Sequence, residues 1–173
     1  AAYEAGAVVV ATGACEKPVA VPGWTLPGVM TVGAAQVLTN VHRVRPGRRA
    51  LVVGIDPLAL TVARQLALAG VEVVGVVLPP PLGLNADAGS VRATLARLGS
   101  LASLAPTPWL RMAAAALESG LVRELAARVG PPGGVRVWGV PVHHRTALLE
   151  VQGDGRVERV VLAAGRALVG PAD

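Results

Sequence analysis

Residues 49–78, RALVVGIDPLALTVARQLALAGVEVVGVVL, constrain the fold more than any other stretch of the chain. An apolar run at 50–53 meets a tight turn at 54–57, and an amphipathic stretch fills 58–69. Gly70 closes that stretch, and a second apolar run occupies 71–78. The succession predicts strand, turn, helix, strand: a βαβ unit of the length that dinucleotide-binding folds use. Within 58–69 the polar residues Thr61, Arg64 and Gln65 share one stripe, as expected when the rest of the helix is buried against a sheet.

Composition bounds what surrounds this unit. The 173 residues are 53% hydrophobic, enough for a core. A mean hydropathy of +0.55 is high for a freestanding domain and points to surfaces meant to be covered. Aromatics make up 2% and Phe is absent, so Ala, Val and Leu must build the interior. No apolar run reaches the length of a bilayer span, and the first residues lack a signal-peptide pattern. The expectation is therefore no membrane partner and a cytoplasmic location. The net charge of +5 rests on arginine, Lys17 being the only lysine. The basic cluster at 43–49 has no interleaved aromatics, so it reads as a solvated linker and not as a nucleic-acid surface. Cys15 is alone, which excludes a disulfide framework or a CxxC metal site within the chain.

Taken in order, residues 7–11 (AVVVA) read as a short buried strand ended by Thr12 and Gly13. Residues 16–28 contain Pro18, Pro22 and Pro27 and are expected as an extended crossover. Thr31 is placed as the N-cap of a helix over 32–41, which the Arg-Pro-Gly turn at 45–47 stops. After the βαβ unit comes a proline-rich loop at 79–85. Residues 88–104 and 109–129 both have apolar residues at helical spacing. In the second, Leu110, Ala114, Leu117, Leu121, Leu125 and Val129 recur at helical spacing along one face. The 130–134 stretch, GPPGG, ends that helix. Residues 135–140 are a strand candidate, and 144–151 with 156–163 flank the turn at 152–155 as an antiparallel hairpin. A third short strand is expected at 167–170.

The stretch ATGACEKPVAVPGWTLPGVMTVGAAQ at 11–36, followed by RPGRRALVVG at 45–54, resembles the middle of a flavoprotein with two dinucleotide domains. More narrowly it is similar to the α subunits of opine oxidase, hydrogen cyanide synthase and sarcosine-oxidase-type amine dehydrogenases. The tail WGVPVHHRTALLEVQGDGRVERVVLA resembles the end of that family's second nucleotide domain. The resemblance implies an α/β fold: a Rossmann-like three-layer NAD(P)-type domain over 47–173 with a terminal antiparallel β-meander. A strand and crossover from an incomplete FAD domain, residues 1–46, precede it. It further implies an internal fragment of an FAD-dependent oxidoreductase, inactive alone, whose whole protein binds FAD and a β subunit or self-associates. Thr12 and Gly13 would then lie against the FAD, with their backbone near its adenosine side. An open alternative is a non-catalytic structural or subunit-interaction domain whose nucleotide loop has decayed.

The second candidate site is the turn Gly54, Ile55, Asp56, Pro57 and Leu58, which stands where a G-x-G-x-x-G/A loop belongs. Gly54 fits the first glycine and Ala59 the third, but the second is Asp56. That position lets backbone approach a pyrophosphate bound by the helix's free N–H groups. Asp before Pro57 is instead a strong N-cap with proline at the first helical position. Its carboxylate would repel a phosphate charge ~4 Å away by about 4 kcal/mol at an effective dielectric near 20. A micromolar affinity amounts to only about 8 kcal/mol. The second strand also ends in Leu78 and prolines where NAD-binding units place an acidic residue for the ribose. NAD or another adenine nucleotide and a purely structural turn both stay open. His143 and His144 point to opposite faces of a strand and cannot jointly hold a metal. His42 suits a helix end, Asp154 belongs to the hairpin turn, and Trp24 and Trp109 are expected as packing anchors. No nucleophile–base pair or carboxylate pair offers a catalytic site.

Overall fold

Thr31 starts the first helix. Its hydroxyl accepts the Ala34 N–H at 3.2 Å, and α1 (Val32–Asn40) follows. The structure, a computed structural model, describes residues 5–7, 9, 13, 15–80, 89–104, 107–129 and 134–164. Glu16 reaches the same helix start from far away in sequence: its two carboxylate oxygens accept the Gly33 N–H at 2.8 and 3.0 Å.

The βαβ unit forms as its pattern dictates. β1 (Arg49–Val53) and β2 (Glu72–Leu78) run parallel, and α2 (Pro57–Leu68) crosses between them. The buried residues of α2 are Ala59, Val62, Ala63 and Leu66, spaced i, i+3, i+4 and i+7, which is the stripe a helix needs to cover a sheet. Gly70, at φ +81°, ends the helix where a side chain would be strained. Then come α3 (Val91–Ser100), a short 3₁₀ turn (Ala102–Leu104), α4 (Pro108–Ala116) and α5 (Gly120–Arg128).

The sheet is mixed. β3 (Val135–Val137), β4 (Val140–Gln152) and β5 (Arg159–Ala164) complete five strands among the described residues, ordered β1-β2-β4-β3 with β5 also on β4. β4 changes partners along its length. Val142 and His143 pair in parallel with Val76 and Val77, then the register jumps so that Leu78 meets Ala147. The first residues of β4 pair antiparallel with β3, and its last half with β5. Successive β2 residues feed opposite faces, as a pleated strand requires. Val76 joins the larger core with Val62, Leu95, Ala127 and Val142, and Val77 joins a smaller one with Val21, Leu148 and Val151. This α/β arrangement is consistent with a Rossmann-like fold.

Several expectations change. Of the strand expected at 7–11, residues 8, 10 and 11 lie outside the described residues, and Ala7 and Val9 are exposed and in no strand. Residues 16–28 are non-helical, as their prolines require, but 22–28 fold into consecutive turns. Those turns lie on the hairpin: the Pro22 and Pro27 carbonyls accept the Val151 and Val157 N–H groups, both at 2.9 Å. The expected helix over 109–129 is two helices broken at 117–119. Ser119 and Gly120 start the second helix, and the break lies against α3: a Cβ on Gly99 would stand 3.3 Å from the Leu117 carbonyl carbon and the Glu118 nitrogen, so two backbones meet there. Of the residues that share this spacing, Leu117 packs against the larger core, while Leu121, Leu125 and Val129 are 58–79% exposed. Residues 135–140 are a β3–β4 hairpin, turned by Trp138 and Gly139 with φ of +51° and +82°. A two-residue turn with both φ positive matches strand twist. Trp24 and Trp109 are not packing anchors, being 43% and 58% exposed. The candidate strand at 167–170, most of the 79–85 loop and most of the 130–134 breaker lie outside the described residues. Among the described residues no helix is long and apolar enough to cross a membrane.

Candidate functional site

The turn after β1 is built by two backbone constraints. Gly54 donates its N–H to the Val77 carbonyl at 2.8 Å, holding the end of β1 against β2, and its φ of +120° is open to glycine but strained for other residues. Ile55 turns inward and is buried in the larger core. Asp56, in extended conformation, accepts the Ala59 N–H on its side chain at 2.9 Å and the Leu60 N–H on its carbonyl at 3.0 Å. Pro57 has no N–H, and Ala59 is buried. Leu58 is half exposed, and its N–H is the one first-turn donor left to face a ligand. A pyrophosphate needs several such donors and no anion among them. The turn therefore does not fit a dinucleotide phosphate: the chain's own carboxylate stands in its place.

The end of β2 adds to the misfit. Leu78 is fully buried, and Pro79 and Pro80 are buried behind it. Among the described residues at that end, Leu78, Pro79 and Pro80, none carries a carboxylate for a ribose. The register jump instead places His144, Arg145 and Thr146 beside that end, between the partners of Val77 and Leu78. The buried Nε of Arg145 has no hydrogen-bond partner among the described residues. Sequence order alone does not bring Arg145 to this end, because a strand far along the chain supplies it.

Of the other candidates, Thr12 lies outside the described residues. Gly13 is exposed at φ +76°, and a Cβ built on it would meet nothing within 4 Å. No atom of the 54–58 turn, in which Gly54, Ile55, Asp56, Pro57 and Leu58 follow one another, comes within 4 Å of that position.

Beside the turn runs a trough of about 620 Å³ along β1, reaching from Asp56 and Leu58 to Pro46 and Gly47. Its walls are apolar, with Val32 and Val62 on one side and Val21 and Trp24 on the other. The histidines lie elsewhere and separate as expected. His144 Nε2 is 3.2 Å from the Ala126 carbonyl, while His143 packs against Gly75. Burial pushes the His144 pKa below the ordinary 6.5, with Arg145 and His143 adding to the shift and the Ala126 carbonyl opposing it. Hydrogen bonds from Arg92 at 2.8 and 2.9 Å hold the Glu124 carboxyl below the usual range and tie α3 to α5. Arg128, 2.8 Å from the same carboxylate, reinforces the pair. Among the described residues no group of three His, Cys, Asp or Glu side chains could hold a metal.

No family model matches the chain, and no solved structure does. Curated proteins do. An opine oxidase subunit of Agrobacterium tumefaciens is 52% identical over 68 residues, 39% of this chain and 14% of that protein. The HcnB subunit of hydrogen cyanide synthase from Pseudomonas aeruginosa is 32% identical over 156 residues, 90% of this chain and 28% of its own length. The alpha subunit of sarcosine oxidase from Rhizobium meliloti is 40% identical over 73 residues, 42% of this chain and 7% of that protein. The chain spans little more than a quarter, at most, of the length of these relatives. Over these partial stretches, its relationship is to a family of oxidoreductase subunits.

Proposed function

We propose that the chain is part of an FAD-dependent oxidoreductase, the α subunit of an amine, opine or amino-acid dehydrogenase. In this reading residues 47–173 supply the NAD(P)-type domain and residues 1–46 an adjoining piece of the FAD domain. The observation that carries the reading is the similarity to HcnB, which runs through 90% of the chain. FAD, when bound by the whole protein, supplies the redox chemistry. Thr12 and Gly13 would meet its adenosine side. The 54–58 turn keeps the architecture of a nucleotide site and uses it as a helix cap. A β subunit is the partner this reading implies, in the cytoplasm.

Two measurements test it. The whole protein is expected to purify with FAD that acid releases, and a colourless, flavin-free preparation would overturn the reading. For the turn, thermal melting with increasing NADH is expected to show no saturable stabilisation of the native sequence. Asp56→Gly is expected to gain it, because it removes the carboxylate. A tenfold excess over Kd raises stability by about 1.4 kcal/mol. Saturation of the native chain below ~100 μM, equivalent to about 5 kcal/mol of binding, would show that Asp56 is no barrier.

The exposure of Trp109, Met112, Leu121 and Leu125 on α4 and α5 favours a second reading, a non-catalytic subunit-interaction domain. Flavin in the whole protein decides between the two.

A further inference from the structure

None of the nine residues of α4 is buried. Leu110 and Ala114 are its half-buried residues, and Leu117 just beyond it packs against the larger core. Trp109, Met112, Ala113 and Ala116 are all exposed, Trp109 at 58% and Met112 at 75%. Their spacing is i, i+3, i+4 and i+7, so they form one stripe along the helix, and no charge interrupts it. A solvated helix face looks different: α2 turns Thr61 and Arg64 outward. Across 117–119, α5 leaves Leu121 and Leu125 outside as well. Single exposed apolar residues are ordinary, whereas an apolar stripe turned to water marks a surface for contact.

Charge selects what covers this stripe. Residues 89–129, which carry α3, α4 and α5, hold five arginines and two glutamates. One of the two, Glu124, is already bridged by Arg92 and Arg128. The segment thus contributes three of the chain's five surplus positive charges. α3 packs against both α4 and α5, which keeps those charges within one helical layer. A second copy would bring the same surplus and be repelled, whereas an acidic surface is drawn in and oriented. Shape narrows the partner further. Trp109 and Met112 project at one end of the stripe, and Ala113 and Ala116 leave a low floor behind them. Packed helix axes lie about 8–10 Å apart, depending on the side chains between them, so a helix can settle on this floor. A lipid-seeking helix instead carries large apolar residues along its whole length.

We propose that α4 seats an amphipathic helix of a partner protein, apolar on one side and rich in Asp and Glu on the other. The apolar side covers Trp109, a residue type that anchors interfaces, and Met112, whose thioether adapts to irregular surfaces. The partner's axis passes over Ala113 and Ala116, and its carboxylates meet the arginines of the layer. Helix recognition through i, i+3, i+4 and i+7 anchors has this form. The proposal rests on the reading of the chain as one subunit of a larger assembly, adds the partner's chemistry to it, and holds with or without flavin.

Fluorescence anisotropy of a labelled peptide tests it, on the chain and on the whole protein freed of partners. The peptide is fluorescein-Glu-Leu-Glu-Glu-Leu-Leu-Glu-Glu-Leu-Glu-Glu-Leu-amide, and its control has lysine at every glutamate. The acidic peptide is expected to saturate below ~100 μM, and the basic one to bind at least tenfold more weakly. Trp109→Ala combined with Met112→Ser is expected to weaken the acidic peptide at least tenfold. Leu68→Ser removes an apolar residue of α2 that is 78% exposed and is expected to change nothing. All three positions are exposed, so the variants are expected to fold, which circular dichroism melts verify. If the double variant does not fold, Ala116→Arg, which blocks the close approach, takes its place. A dimer in sedimentation that the double variant abolishes would make the occupant a second copy. Binding to vesicles of phosphatidylcholine and phosphatidylserine in equal parts, lost in the double variant, would make it a membrane surface. Peptide binding by the chain but not by the whole protein would mean that the same polypeptide covers α4. Each of these overturns the proposal, as do equal binding of the two peptides, unchanged binding by the double variant, or no saturation at millimolar peptide. A flavin-free whole protein that still binds the acidic peptide would remove the flavin reading and leave this one standing.

Discussion

Asp56 performs one job and forecloses another. By accepting the Ala59 N–H it completes α2, and in doing so it fills the place where a phosphate would sit. Asp56→Ala is expected to cost about 1 kcal/mol of stability, the usual worth of an N-cap side chain, read as a lowered urea midpoint. This cap was legible in the sequence, because Asp before Pro is a local signal. Glu16 on Gly33 was not, because seventeen residues separate carboxylate from amide and only tertiary folding joins them. Arg145 was hidden for the same reason, its place at the end of β2 depending on a register jump. His144 sets a pH dependence whose sign follows from burial. Its folded pKa lies below the ordinary 6.5, so the unfolded chain takes up the proton first as pH falls. Stability is expected to be full above about pH 6.5 and to decline as pH drops below it. Melting temperatures between pH 7.5 and 5 should show that decline, and His144→Gln should flatten its contribution.

Among the elements, the contrast is between α2 and the α4–α5 pair. Helical periodicity marks both in the sequence, yet only α2 buries its stripe. Val62, 1% exposed, is expected to cost about 2 kcal/mol on replacement by Ala, through lost transfer energy and the cavity left behind. Leu121, 79% exposed, is expected to change stability by no more than about 0.5 kcal/mol on replacement by Ser. Chemical denaturation of the two variants side by side checks both values, and a large loss at Leu121 would mean that its face is covered in solution. Periodicity says which residues share a face but not what meets it, and the 109–129 pattern reads as one helix where the structure has two. The break at 117–119 does carry a local signal, Ser119 before Gly120, which the apolar periodicity on either side outweighs. The β4–β5 hairpin was legible because its turn chemistry and alternation are both local. The β3–β4 turn was not, because Trp-Gly lacks the usual Asn-Gly signature. There the Arg64 guanidinium lies 5.2 Å from the Trp138 ring centroid, a tertiary contact that favours the ring's position.

Over the whole molecule, residues before 47 are structurally committed to those after it. Val21 sits in the smaller core with Val77, Leu148 and Val151, and Ala35 sits in the larger one. Expressing residues 47–173 alone is therefore expected to lower stability by about 3 kcal/mol or more, from the apolar area re-exposed. Circular dichroism melts of the two lengths measure the difference, and identical melts would show the first 46 residues to be an independent appendage. The βαβ order and the succession of helices to hairpin could be read from the sequence, because each element announces itself locally. Strand order could not, since it depends on which edges meet. One arrangement bears on how the molecule behaves in solution. Both helix starts that flank the trough, α1 and α2, are already occupied by the chain's own carboxylates, Glu16 and Asp56. The surplus of +5 is left to scattered arginines. Attraction to polyanions should therefore rise and fall with ionic strength alone, as it does for a diffuse basic surface with no socket to saturate.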